Sequence, residues 1–238
     1  MSSVSLQSIV DDAPIVAIVR RPKVDPVRCI ERLFQAGIRL VEITMDTPDA
    51  LRILESQLPC VPPNALLGAG TVTDIGRAEA ALAAGAAFIV TPNVDLEVIR
   101  TVRAHGIPVM PGALTPTEIC NAVNAGADFV KVFPASTVGP GYFRELRGPF
   151  ERIPLMASGG VNLENAAEFI KFGADALGIG GALIPKKNDE FDLCTEMARR
   201  LLEVARTARA RVGTQGTYLG IGNCSRARGR TSNTGQGA

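Results

Sequence analysis

Two ionisable side chains sit where apolar ones belong. Lys131 lies inside Phe129-Val-Lys-Val-Phe133, and Glu42 lies inside Leu40-Val-Glu-Ile-Thr44. Both runs are rich in β-branched and aromatic residues and read as buried strands. An ammonium taken out of water is costly unless it is paired, and desolvation favours its neutral form. A neutral lysine is a nucleophile that condenses with a ketone to give an imine. A carboxylate in an apolar strand is equally hard to place unless it is paired or used. Three arrangements remain open from the residues alone. Lys131 sits at a strand end and reaches water; the two side chains form an ion pair across the interior; or a neutral amine works beside a carboxyl that moves protons.

The elements that must position these residues follow one repeating grammar. Ala36-Gly-Ile-Arg-Leu-Val, Ala84-Gly-Ala-Ala-Phe-Ile-Val, His105-Gly-Ile-Pro-Val-Met, Ala125-Gly-Ala-Asp-Phe-Val and Phe172-Gly-Ala-Asp-Ala-Leu each end a helix on glycine and then start an apolar strand. Glycine supplies the left-handed conformation that stops a helix. The glycines at 37, 85, 106, 126 and 173 mark a unit of about 20–24 residues, the length of one strand, one helix and short loops. Filling in the missing units gives eight strands, near 15–20, 38–44, 65–70, 86–91, 107–111, 128–133, 153–157 and 175–180, with helices between. The strands are continuous apolar runs, as parallel strands covered on both sides are. The expected fold is α/β: a TIM (β/α)8 barrel over residues 1–211, with an extra helix at about 4–11 under its bottom. A doubly wound open sheet competes, but no G-x-G-x-x-G follows the first strand. From 212 to 238 the grammar fails in a Gly-, Ser-, Thr- and Arg-rich stretch, which reads as a disordered tail.

Composition narrows the class. The chain has 238 residues, 46% of them hydrophobic, and a formal net charge of +1. That suits one core-forming domain and argues against a dedicated nucleic-acid or membrane-surface role. No uncharged apolar run reaches the ~18 residues of a membrane span, and the start lacks a signal-peptide pattern. Five scattered cysteines without a C-x-x-C fit a reducing cytoplasm better than a disulfide framework or zinc site. The single histidine, His105, sits at a helix end where it has a structural role available.

In such barrels chemistry occurs at the C-terminal ends of the strands. The polar residues there are Arg20 and Arg21, Glu42 and Thr44, Thr71, Thr91-Pro-Asn93, Lys131 with Phe133, and Ser158. Gly159-Gly160 and Gly180-Gly181 follow the last two strands. They are either plain tight turns or the backbone cradle for phosphate that this fold builds there.

Taken together, Glu42-Ile-Thr-Met, Gly68-Ala-Gly-Thr-Val72, Thr91-Pro-Asn, Pro111-Gly-Ala-Leu-Thr-Pro-Thr-Glu118, Lys131-Val-Phe-Pro-Ala, Ser158-Gly-Gly-Val and Ile179-Gly-Gly resemble the 2-dehydro-3-deoxy-phosphogluconate (KDPG)/4-hydroxy-2-oxoglutarate (KHG) aldolases. The match runs in order from about residue 5 to 205. The resemblance implies a cytoplasmic, homotrimeric Schiff-base aldolase with no metal and no cofactor. Such an enzyme cleaves 2-dehydro-3-deoxy-6-phosphogluconate to pyruvate and D-glyceraldehyde 3-phosphate. It implies Lys131 as the imine-forming lysine and Glu42 as the general acid and base. Thr71 and the backbone near Pro92 would hold the pyruvyl carboxylate, with Phe133 packed against it. Ser158, Gly159, Gly160, Gly180 and Gly181 would line the phosphate end.

The chain departs from the family pattern. Asp46 stands where many members have an arginine that binds the substrate carboxylate, and Arg20 is expected to take that role over. Ala182 replaces a serine found in some relatives, and Ser158 and Asn93 stand where Thr and Gly are favoured. These changes leave open 2-dehydro-3-deoxy-6-phosphogalactonate, 4-hydroxy-2-oxoglutarate and oxaloacetate, which pass through the same pyruvyl imine. From another class, a sugar-phosphate isomerase or a binding-only barrel remains an alternative.

Overall fold

The computed structural model describes residues 5–215. Its strands are β1 (Ile15–Val19), β2 (Leu40–Thr44), β3 (Leu66–Gly70), β4 (Ile89–Val90), β5 (Val109–Met110), β6 (Gly112–Ala113), β7 (Val130–Val132), β8 (Leu155–Ser158) and β9 (Ala176–Ile179). All pairings are parallel, in the order β5-β4-β3-β2-β1-β9-β8-β7-β6. The two ends of that order, β5 and β6, flank Pro111, so the sheet curls round into a nearly closed barrel. The sequence reads this stretch as one fifth strand. Proline has no N–H for the ladder, and β5 pairs with β4 while β6 pairs with β7. The eight βα units are therefore present, written as nine strand segments.

The helices are α1 (Leu6–Asp12), α2 (Pro26–Gln35), α3 (Ala50–Gln57), α4 (Ile75–Ala83), α5 (Leu96–Ala104), α6 (Pro116–Asn124), α7 (Ala135–Val138), α8 (Pro140–Arg147), α9 (Ala166–Lys171) and α10 (Phe191–Gln215). The short sixth-unit helix expected near 141–147 is preceded by α7, with Gly139 at φ 71° between them. Helix α10 continues to Gln215, into the stretch assigned above to a tail. The remainder of that stretch, 216–238, lies outside the described residues. Among the described residues, no helix is long and apolar enough to cross a membrane.

Local signals act as the sequence suggests. Thr115 and Glu118 form a capping box on α6, and the Asp74 side chain accepts from the Arg77 N–H at the start of α4. All five helix-stopping glycines have positive φ, between 72° and 112°. The Gly-Ala-Asp motif carries a further device. Asp128 accepts from Val109 N–H (2.9 Å) and from Arg103 Nη1 (2.9 Å). Asp175 accepts from Leu155 N–H (2.8 Å) and from Arg147 Nη2 (2.5 Å). In each unit one carboxylate ties the start of the previous strand to the helix preceding that strand.

Two apolar compartments result. The larger lies between strands and helices. The smaller fills the lower barrel: Val16, Leu40, Phe88, Val90, Met110, Phe129, Met156 and Ala176, closed underneath by Leu6, Ile9 and Val10 of α1. Arg206 Nε of α10 donates to Asp12 O (2.7 Å) and Arg209 Nη1 to Val10 O (3.1 Å), holding this plug in place.

Candidate active site

Strand periodicity decides what points inward. Side chains two apart share a face, so with Leu40 in the barrel floor, Glu42 and Thr44 stand above it. With Phe129 in the floor, Lys131 and Phe133 stand above that. Ladder register places Ile18 beside Glu42, Glu42 beside Gly68, and Gly112–Lys131–Met156 side by side on three neighbouring strands. Lys131 is 7% exposed and Glu42 1%. The barrel interior above its apolar floor thus holds an amine and a carboxyl close enough for each charge to act on the other.

Glycines make room for Glu42 and for the backbone and side chains around the pair. A Cβ at Gly70 would lie 2.5 Å from Glu42 Oε1. A Cβ at Gly68 would lie 2.5 Å from the Phe88 carbonyl, and one at Gly112 would overlap the Pro92 carbonyl. A Cβ at Gly178 would lie 2.7 Å from Ser158 Oγ. The chain leaves out side chains around the reactive ones. Glycine inside a strand is a signal of close approach, and Gly68-x-Gly70 displays it in the sequence.

The environment shifts both ionisations toward neutrality. Burial raises the Glu42 pKa to about 6, against the opposing pull of the Lys131 and Arg20 charges. Burial pushes the Lys131 pKa down, with Glu42 opposing and Arg20 assisting. Glu42 Oε2 is buried with no hydrogen-bond partner. Lys131 Nζ sits 4.9 Å from the centroid of the Phe133 ring. Of the three arrangements open at the outset, reach to bulk water is excluded by this burial. Nor is a direct ion pair closed: among the described residues no hydrogen bond or salt bridge joins Lys131 to Glu42, and the two charges act on each other from farther off.

Around this pair the structure gathers most of the residues singled out in the sequence. Arg20 follows β1 and is close enough for its charge to act on both Glu42 and Lys131. Its Nε donates to Asp46 Oδ2 at 3.1 Å, so the unfamiliar aspartate binds the arginine expected to take over carboxylate binding. Thr71 follows β3 in the left-handed region, φ 55°. Such strain in a β-branched residue marks a position the surroundings over-determine. Pro92 follows β4 and abuts Gly112. Ser158 ends β8 and is 2% exposed. Gly159 (φ 93°) and Gly160 (φ 78°) have positive φ, Gly159 lies against Phe133, and a Cβ at Gly160 would meet Ser136. Gly180 lies against Ile18, and a Cβ at Gly181 would meet nothing within 4 Å. Phe133 thus bridges the lysine to the glycine loop after β8. His105 stands apart: its Nδ1 is 2.9 Å from Thr101 O at the end of α5. Among the described residues, no three His, Cys, Asp or Glu side chains come together as a metal site.

Sequence reasoning did not find the partnership of Arg20 and Arg21 with Asp46, because it joins two loops. Nor did it find Gly70, Gly112 and Gly178, whose function is to be small.

The model of the KDPG and KHG aldolase family matches residues 6–197. A 2-dehydro-3-deoxy-6-phosphogalactonate aldolase of Escherichia coli (strain K12) is 36% identical over 172 residues, covering 71% of this chain and 84% of its own. A 2-dehydro-3-deoxy-phosphogluconate aldolase of Treponema pallidum is 32% identical over 197 residues, covering 80% of this chain and 91% of its own. Among solved structures, one described as native KDPGal superposes with a TM-score of 0.77 at 32% identity, covering 82% of this chain and 95% of its own.

Proposed function

Given that the chain belongs to the KDPG and KHG aldolase family and is a carbon–carbon lyase, we propose that it cleaves 2-dehydro-3-deoxy-6-phosphohexonates through an imine on Lys131. The observation that carries this is the coupled pair: a buried amine with a lowered pKa and a buried carboxyl with a pKa raised to about 6, both inside the barrel. The two relatives compared above are named for epimers that differ at C4. C4 becomes the aldehyde carbon and loses its configuration, so both epimers give pyruvate and D-glyceraldehyde 3-phosphate. Only the group that holds the C4 hydroxyl distinguishes them. The higher identity to the galactonate enzyme, and the likeness to the KDPGal structure, favour the galactonate epimer.

The residues divide the work as follows. The Lys131 amine attacks the C2 ketone, the protonated Glu42 carboxyl gives its proton to the carbinolamine oxygen, and loss of water leaves a protonated imine beside the Glu42 carboxylate. That cation is an electron sink, so breaking C3–C4 leaves an enamine and not a free carbanion. Glu42 takes the proton of the C4 hydroxyl as the bond breaks, then returns a proton at C3; a pKa near neutrality suits one carboxyl to both transfers. Arg20, with Thr71 and the Pro92 backbone, holds the C1 carboxylate, and Phe133 packs against the pyruvyl unit. Ser158 and the backbone of Gly159, Gly160, Gly180 and Gly181 receive the phosphate. A homotrimer in the cytoplasm is the assembly that goes with this reading, and light scattering after gel filtration measures it.

The test is a pyruvate-release assay with each phosphohexonate epimer, 4-hydroxy-2-oxoglutarate and oxaloacetate as sole substrate. The proposal expects the highest kcat/KM for a phosphohexonate, with the galactonate epimer ahead. A higher kcat/KM for either unphosphorylated acid overturns the phosphate assignment.

A further inference from the structure

Arg20 is half exposed, with 52% of its side chain open to solvent, and Arg21 more so at 63%. A long cation at a mouth is ordinarily a loose one. Here the two loops that carry the neighbouring charges are built as a unit. Arg20 Nε donates to Asp46 Oδ2 at 3.1 Å, and Arg21 Nη2 forms an ion pair with the same oxygen at 3.1 Å. Arg21 N–H donates to Thr47 Oγ1 at 3.0 Å, and Thr47 Oγ1 lies 3.1 Å from Thr44 Oγ1. Thr47 is buried, and its own N–H donates to Thr44 O at 2.8 Å. Arg21 is in the left-handed region at φ 39°. A non-glycine residue stays there only when its surroundings hold it. The anchoring end of the cluster is therefore rigid, and it sits directly above the Glu42 position on β2.

The charges also sort themselves. Two guanidiniums share one carboxylate, so the cluster keeps a net positive charge toward an incoming anion. Asp46 engages Arg20 through Nε, and among the described residues the two terminal nitrogens of Arg20 make no hydrogen bond. The terminal face is the one that grips a carboxylate with two parallel hydrogen bonds.

We propose that Asp46 is a positioning and specificity-determining residue: it holds Arg20 by Nε, with Arg21 as brace, so that the free guanidinium edge meets the pyruvyl carboxylate and not the phosphate. Asp46 touches no reacting atom and works through Arg20. This rests on the lyase reading above.

Two effects oppose each other when Asp46 becomes neutral. Removing a negative charge strengthens the local field for an anion, but exposed charges are screened. Releasing Arg20 restores the rotamer freedom of a long side chain, which binding must then remove. The second effect dominates where the arginine is more than half exposed.

The probe is pyruvate, which has the carboxylate and lacks the phosphate, read by borohydride inactivation. In Asp46→Asn the pyruvate concentration for half-maximal inactivation rises about tenfold, and KM for the phosphohexonate rises in parallel. The value of kcat stays within about twofold, the pattern of lost binding shared by ground and transition states. Asp46→Glu, which keeps the carboxylate, stays near wild type. In an Arg20→Gln background Asp46→Asn adds nothing further. Should Asp46→Asn fold poorly, Arg20→Lys reads the same geometry and shows the same loss confined to KM. An unchanged or lowered half-saturating pyruvate concentration overturns the proposal. So does a rise in KM for the phosphorylated substrate alone, or an undiminished Asp46→Asn effect in the Arg20→Gln background. Wild-type protein that pyruvate and borohydride fail to inactivate points instead to failure of the lyase reading itself.

Discussion

Lys131 and Glu42 were legible from the sequence because each breaks the pattern of its own strand. A charged residue in an apolar run needs no partner in view to be noticed. What it is paired with is another matter, since the partner lies several strands away in the chain. The central role given to Lys131 predicts that Lys131→Met abolishes turnover, and that Lys131→Arg does so too, because a guanidinium does not deprotonate in a protein. Glu42→Gln keeps the shape and removes the proton shuttle, so kcat/KM falls by about 10²–10⁴. The pH profile supplies a sharper check. With its pKa raised to about 6, Glu42 must lose its proton to act as base, so kcat/KM of the wild type falls as pH drops through about 6. Glu42→Gln lacks that limb. Stability moves the other way. The folded state holds the Glu42 proton more tightly than the unfolded chain, so this group's contribution is greatest below the ordinary 4.5 and declines as pH rises to about 6. Titrating urea stability from pH 4.5 to 6.5 reveals the decline, by about 2 kcal/mol at most, and Glu42→Gln removes it. The glycines beside these residues make their own prediction. Gly70→Ala drives a Cβ into Glu42 Oε1, so kcat falls at least about tenfold while a circular dichroism spectrum stays native.

At the scale of elements, the glycine stops and the capping box were read correctly because they are local: the residue that sets the conformation is the residue that is seen. The break at Pro111 was not read as one, although the proline was in plain view. Whether a missing N–H splits a strand depends on which neighbours need it, and those are β4 and β7, far apart in sequence. The aspartates of the Gly-Ala-Asp repeats show the same limit. Their periodicity was visible, but their partners Arg103 and Arg147 come from the preceding helices. Asp175 is the more consequential of the pair, because Arg147 also donates to the carbonyls of Gly173 and Ile153. Asp175→Ala leaves Leu155 N–H without its acceptor and the largely buried Arg147 guanidinium without its counter-ion. It is expected to cost roughly 2–4 kcal/mol in denaturant unfolding, with kcat unchanged because the ion pair lies at the end of the barrel opposite Lys131. A Glu42-like loss of activity without a loss of stability would show that the bottom of the barrel is coupled to its mouth.

The whole molecule is a barrel wet at one end and stoppered at the other. The eight-fold grammar gave the barrel away, since continuous apolar strands at a fixed interval allow few other architectures. The stopper was read from the sequence as an extra helix closing the barrel bottom, and the packing shows what it closes on: Leu6, Ile9 and Val10 cover Phe88, Phe129 and Met156. Leu6→Ala with Ile9→Ala opens that floor, and a thermal melt is expected to fall by well over 10 °C if each change costs about 2–5 kcal/mol. The apolar floor matters for chemistry too, because it is part of the burial that lowers the pKa of the amine above it. The central claim is that this amine, and no other, captures the ketone. The most direct measurement is peptide mapping by mass spectrometry after borohydride reduction in the presence of pyruvate. The account predicts a single carboxyethyl adduct, on the peptide containing Lys131 and on that lysine, absent without pyruvate and absent in Glu42-intact Lys131→Met protein. An adduct on another lysine, or reduction without any adduct while turnover continues, would contradict it.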